Sequence, residues 1–98
     1  MTPASFHPEA WAEFTNELEF YSGTREGVAP RFRECVELAV ARAIAQPAGG
    51  APSLRGTRSL CVKGFPLSVI YRVMDGRIEV IALAPHRRRP GYWLSRLR

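Results

Sequence analysis

The chain has 98 residues, 46% of them apolar, which leaves room for one small core and no second. Its net charge of +5 comes from fourteen basic residues, thirteen of them arginine; the planar guanidinium fork suits phosphate or carboxylate, so the expected partners are nucleic acid or an acidic protein segment. No run approaches the ~18 apolar residues of a membrane span, the opening Met1–His7 lacks the basic start and apolar run of a signal peptide, and two cysteines with two histidines in no ligand spacing argue against a disulfide framework, a metal site or a cofactor.

The first half reads as helical. Pro8 suits a first helical turn, and Trp11, Phe14, Leu18 and Tyr21 follow at three- and four-residue steps until Gly23 ends the pattern. His7 reads as a helix-start residue rather than a ligand. A second amphipathic stretch starts near Val28-Ala29-Pro30 and buries Phe32, Cys35, Val36, Ala39, Ala43 and Ile44 before Pro47 and Gly49-Gly50 stop it. Residues 8–46 thus form a hairpin of two helices with one apolar side. Cys35 and Cys61 sit among apolar neighbours, the pattern of buried thiols in a reducing compartment, here the cytoplasm.

After a loop, Ala48 to Gly56, the period becomes alternating. Thr57 to Lys63, Pro66 to Val73 and Arg77 to Ala84 read as three strands, and their short connections at Gly64-Phe65 and Asp75-Gly76 require an antiparallel meander over 57–84. Counting outward from Asp75-Gly76 pairs Val73 with Ile78, Arg72 with Glu79, Tyr71 with Val80, Ile70 with Ile81 and Val69 with Ala82. One face, carrying Val69, Tyr71, Val73, Ile78, Val80 and Ala82, should receive the helices. The other carries Ser68, Ile70, Arg72, Glu79, Ile81 and Leu83 and is too apolar to lie open to water; Tyr92-Trp93-Leu94 or a partner should cover it. Arg72 opposite Glu79 reads as a cross-strand ion pair rather than a cation aimed at phosphate.

The last segment, 85–98, opens with Pro85-His86-Arg87-Arg88-Arg89 and runs on through Pro90-Gly91-Tyr92-Trp93. Three guanidinium groups with two large aromatics make either a contact surface for an anionic partner or a solvated basic tail that closes over the core.

Several pieces recur here in a telling order: Phe6-His7-Pro8-Glu9-Ala10 opening a helix, Arg58 in the first meander strand, Phe65-Pro66 with Val69-Ile70-Tyr71-Arg72-Val73, and Val80-Ile81-Ala82 leading to Arg88-Arg89-Pro90-Gly91-Tyr92-Trp93. In order, spacing and total length they resemble the RelE/ParE toxins of bacterial type II toxin–antitoxin systems over nearly the whole chain. The resemblance implies one α+β domain over 1–98. A short first strand at 3–7 would precede a helix hairpin packed on one face of an antiparallel sheet, in the order β-α-α-β-β-β. It also implies an antitoxin that wraps the toxin in a hetero-oligomer and covers the half-apolar outer face.

Two mechanisms occur in such toxins. RelE-type nucleases cleave messenger RNA on the ribosome with basic groups on adjacent strands, but the matching positions hold Ser59, Cys61 and Ser68, which cannot stabilise an anion with charge. Arg58, Arg72, Arg87 and Tyr92 are the catalytic candidates left to that reading. The ParE branch is the better match, and its members are associated with poisoning DNA gyrase through protein contact, without catalytic residues. On that reading Arg87, Arg88, Arg89, Tyr92 and Trp93 form the target or antitoxin surface. His86, displaced by Pro85 from its place in many relatives, is expected to be an ordinary exposed histidine. A non-toxic interaction module with the same fold is the third alternative.

Overall fold

A computed structural model describes residues 4–98. It contains strand β1 (Ala4–Phe6), helices α1 (Pro8–Ser22) and α2 (Val28–Ala45), then strands β2 (Ala51–Pro52), β3 (Arg58–Cys61), β4 (Leu67–Met74) and β5 (Arg77–Pro85), with short 3-10 turns at Leu54–Gly56 and Leu94–Leu97. The expected first strand, 3–7, is present from Ala4 to Phe6, and its Pro3 lies outside the described residues.

The helix ends follow from the residues there. His7 caps α1 by accepting the Glu9 N–H on Nδ1 at 3.1 Å, Pro8 occupies the position whose N–H needs no partner, and Glu9 complements the positive end of the helix dipole. Gly27, at a φ of 89°, starts α2, and Gln46-Pro47 ends it.

The sheet order is β1-β5-β4-β3-β2. The meander is antiparallel as expected, while β1 joins the edge of β5 in parallel, Ala4 opposite Ile78 and Phe6 opposite Val80, so the whole sheet is mixed. A parallel neighbour is possible because the long α1-to-β4 excursion separates the two strands. The loop expected over 48–56 also contains β2, two residues paired to Ser59 and Arg58.

Asp75 and Gly76, both at positive φ, form the two-residue turn, and the derived register holds from Val73–Ile78 to Tyr71–Val80. Beyond it the register departs from expectation. Ile70 pairs with Ala82 and Val69 with Leu83, so Ile81 is an extra residue, a bulge with two residues against one. Ile81 and Ala82 therefore both face outward, and Leu83 turns to the helix side, exchanging faces with Ala82 relative to a regular ladder.

Two cores result. Between helices and sheet lie Ala10, Phe14, Phe32, Val36, Ala39, Ala43, Val62, Leu67, Val69, Tyr71, Ile78, Val80 and Leu83. Phe32 joins the layers, its ring centroid 5.0 Å from Tyr21 and 5.2 Å from Phe65. On the outer face Ile70, Ile81, Ala82 and Trp93 make a second core with Tyr92, Leu94 and Leu97 against it. The chain's own C-terminal segment thus covers the outer face, the role that the resemblance assigned to an antitoxin. Three other expectations fail at the margins of the fold. Val73, near the hairpin tip beyond the helices, is 50% exposed; Trp11, on the flank of α1, is 53% exposed; and of the two thiols Cys61 is exposed and Cys35 only half-buried.

The C-terminal segment is held by polar contacts as well. Glu13 of α1 accepts from the Leu83 N–H at 3.0 Å and the Tyr92 hydroxyl at 2.7 Å, and Arg96 donates to both of its carboxylate oxygens at 2.9 Å. Arg96 also donates to the Ile81 carbonyl at 3.0 Å. Arg72 forms the expected ion pair with Glu79 at 2.8 Å and reaches the Leu97 carbonyl at 3.2 Å. Burial, then the hydrogen bond to the Glu13 carboxylate and its charge, push the Tyr92 phenol above its ordinary value of 10.0.

An acid raised in the folded state contributes its stability fully below its unfolded pKa and loses it as pH climbs. Unfolding by urea should therefore become easier as pH rises past 10.0, with Tyr92→Phe flattening part of that slope while costing ~1.5 to 3 kcal/mol at neutral pH through the lost charged hydrogen bond. Gly50 gives a second test. Its N–H donates to the buried Tyr71 hydroxyl at 3.1 Å, which in turn donates to the Pro47 carbonyl, and a Cβ at Gly50 would lie 2.6 Å from the Tyr71 hydroxyl oxygen. Gly50→Ala should destabilise by ~1 to 3 kcal/mol, measured as a lower urea midpoint at unchanged slope.

Candidate functional site

Two concave surfaces lie on opposite sides of the sheet. The first is built by the segment that follows β5. Its His86 N–H continues the ladder to the Pro66 carbonyl at 2.9 Å, and two turns follow, Arg88 N–H to the Pro85 carbonyl and Tyr92 N–H to the Arg89 carbonyl. Gly91, at a φ of 83°, reverses the chain; its Cα lies so close to Leu54 and Leu94 that a Cβ would meet both at 3.1 Å. The reversal lays Trp93 on Ile70, Ile81 and Ala82, where it is 3% exposed.

A cleft of about 320 Å³ opens between this segment and the Ser53-Leu54 turn. Leu54, Ile70, Ala84, Pro85 and Trp93 supply apolar walls; Ser53, Ser59, Ser68, His86, Arg88 and Arg89 supply polar ones. Ser68 is buried and its Oγ lies 2.9 Å from His86 Nε2 and 3.8 Å from Cys61 Sγ. His86 is exposed, as expected, but is tied to Ser68.

The three consecutive arginines are all exposed and point to different neighbours. Arg88 stacks its guanidinium 3.7 Å from the centre of the Tyr92 ring, and with Arg89 it lines the cleft. Arg87 lies toward the end of α1: its charge opposes the rise that burial and then Glu17 impose on the Tyr21 phenol.

Of the four nuclease candidates, three are committed to separate structural contacts. Arg58 donates to the Gly50 carbonyl at 2.8 Å, Arg72 is paired with Glu79, and Tyr92 with Glu13. Arg87 is the remaining one. Of the five contact-surface candidates, Arg87, Arg88 and Arg89 are exposed and Tyr92 is half-buried. Trp93 is 3% exposed because it closes the outer core, so it presents no free ring to the surface and contributes only part of the cleft wall. Among the described residues no three His, Cys, Asp or Glu side chains gather closely enough to hold a metal ion.

The second surface is a groove of about 420 Å³ between α1 and α2, floored by Phe6, Phe14, Leu18, Val36, Val40 and Ile44 and walled by Trp11, with Arg33 and Glu37 at its rim. Trp11 packs edge-on to Phe6 at 5.8 Å and stands half out of the protein, an apolar surface that no element among the described residues covers. Spacing alone grouped Trp11 with Phe14, Leu18 and Tyr21 as one apolar stripe and did not set it apart from the core. Glu13, Arg96 and Leu54 carried no mark either.

Among curated proteins none matches the chain. Among solved structures it is similar to a chain described as "Chromosomal ParDE TA system from P. aeruginosa", with a TM-score of 0.72 at 18% identity over 87% of this chain and 96% of that one, a likeness of fold. The family model described as "ParE toxin of type II toxin-antitoxin system, parDE" matches residues 4–90, which takes in β1, both helices, the whole meander and the arginine run. The chain therefore belongs to the ParE toxin family of type II toxin–antitoxin systems.

Proposed function

We propose that this chain inhibits DNA gyrase by protein contact in the bacterial cytoplasm and is neutralised by a cognate antitoxin bound in a hetero-oligomer. The observation that carries the target side is the exposure of Arg87, Arg88 and Arg89 on a turn held from both ends, within the span that matches the ParE family. A turn already fixed at both ends costs little backbone ordering on binding, and Arg88 is held further by its stack on Tyr92. Tyr92 serves as the platform on which Arg88 is stacked rather than as a contact in its own right.

A non-catalytic mode is favoured because Arg58, Arg72 and Tyr92 are held in structural contacts, which leaves a ribonuclease no cluster of basic groups on adjacent strands. The antitoxin is assigned to the groove between α1 and α2. Its width between two helices and its apolar floor suit an amphipathic segment that presents residues at helical spacing, with Trp11 as the anchor.

Two experiments test this. Pulse labelling after induction without antitoxin should show DNA synthesis falling before protein synthesis, and the purified chain should block supercoiling by gyrase. Replacing Arg87, Arg88 and Arg89 by Ala should abolish both effects while changing stability by no more than ~1 kcal/mol, the loss of the Arg88 stack included. Site-specific cleavage of a message on purified ribosomes would replace this reading with the nuclease. Trp11→Glu should weaken antitoxin binding about thirtyfold or more, as expected for a hot-spot aromatic, and leave gyrase inhibition intact. Unchanged antitoxin affinity in that variant would remove the groove from the interface.

A further inference from the structure

Charge is divided between the two halves of this chain. Residues 1–47 hold seven acidic side chains against four basic, and residues 48–98 two against ten. Of those last two acids, Glu79 is neutralised by Arg72 and Asp75 sits in the hairpin turn. The helix layer is therefore net negative and the strand-rich half strongly positive. The outer-face cleft belongs to the positive half, and among the described residues that line it none is acidic.

We propose that this cleft is a docking site for an acidic segment of a partner protein, one that carries a bulky aliphatic side chain between carboxylates. The assignment rests on the reading above only in taking the basic segment as a contact surface. The aliphatic side chain would enter against Leu54, Ile70, Ala84 and Trp93, a volume of about 320 Å³ that suits one or two side chains. The carboxylates would meet Arg88 and Arg89, whose forks can donate to them in bidentate geometry, and Ser59, Ser53 and His86 offer further polar contacts.

Nucleic acid fits the same charge but not the same walls. A single strand binds without sequence preference by stacking its bases on exposed rings. Here Trp93 is buried, and the Tyr92 ring already carries Arg88 at 3.7 Å while its hydroxyl is bound to Glu13. The surface that an acidic peptide needs, apolar and cationic side by side, is present; the aromatic platform is not. The cleft and the helix groove also lie across the sheet from one another, so a segment seated between α1 and α2 does not by itself occupy the cleft.

The test uses the full purified chain and a fluorescein-labelled, end-capped peptide with one Leu flanked on each side by two Asp, read by fluorescence anisotropy. Saturable binding is expected. It should weaken about tenfold when the peptide Leu is replaced by Ser, as the loss of one buried aliphatic side chain implies. It should fall at least tenfold in the double variant Arg88→Ser, Arg89→Ser and persist in Arg77→Ser, a basic residue at the hairpin tip outside the cleft. Leu54→Ser, a change at an exposed wall residue, should remove most of the preference for Leu over Ser in the peptide. Equal binding of the two peptides would reduce the cleft to a charged patch and overturn the proposal. Tighter binding of a thymidine oligonucleotide of the same charge, able to displace the peptide, would assign the cleft to nucleic acid instead. Self-association of the chain that the peptide cannot reverse would assign it to a second copy. Because this binding needs no gyrase, a failure of gyrase inhibition would count against the target alone.

Discussion

The edge of β5 beyond Val80 sets the terms for the rest of the molecule. β1 can pair with it only as far as Phe6, since the next residue caps α1 and the chain leaves the sheet. The Ile81 carbonyl and the Leu83 N–H and carbonyl would otherwise be buried without partners, at ~1 to 3 kcal/mol each. Side chains complete the edge that a strand cannot. Glu13 takes the Leu83 N–H, Arg96 the Ile81 carbonyl, and the Tyr92 hydroxyl lies 3.4 Å from the Leu83 carbonyl. The three groups then satisfy one another, and among the described residues no buried side-chain nitrogen or oxygen lacks a partner. A buried ion pair contributes little net energy, but removing one member is costly because it strands the other. Here that asymmetry ties α1, β5 and the C-terminal segment into a single unit.

The bulge at Ile81 acts in the same place. By inserting one residue it sends Ile81 and Ala82 to the outer face and Leu83 to the inner one, so the core under the helices gains the larger side chain and the outer face keeps Ile81 with the smaller Ala82. The outer face then needs a cover, and Trp93 supplies it. The functional surfaces are what these demands leave over. Arg88 and Arg89 stand on the turn that carries the chain from β5 to Trp93, and the cleft is the space between that turn and Leu54. Trp11 stands out because α1 must aim Ala10 and Phe14 at the sheet and Glu13 at its edge, which turns the next position on the helix away from both.

Most of the architecture could be read from the residues. Helical spacing located α1 and α2, Asp75-Gly76 announced the hairpin, and Arg72 opposite Glu79 followed from counting. The register failed past Tyr71 because a bulge leaves no mark in a strand where Val80 to Ala84 are all apolar; either face would accept any of them. Glu13 was illegible for a related reason. A glutamate beside the apolar stripe of a helix looks like a solvated residue until its partner, 83 positions away at Arg96, is placed against it. The basic run was legible as a candidate surface from composition, but its division was not. Arg87 near α1 and Arg88 with Arg89 at the cleft depend on the turn at Gly91, and Trp93 looked like an anchor because the outer core it completes has no local signature.

The distance in sequence between Glu13 and Arg96 also bears on how the protein comes into being. β1 pairs with the last strand rather than its neighbour, and two of the three groups that finish that strand's edge, Tyr92 and Arg96, lie beyond it in sequence. Loop closure across almost the whole chain must precede these contacts. During synthesis α1 and α2 can form early, but β5 has no completed edge and the outer face no cover until residues 91–97 have emerged. The arginine display is built on the turn that leads to them. The helices are therefore made well before the turn that carries the arginines, but the groove between them gains its full floor only when β5 holds Phe6 in place.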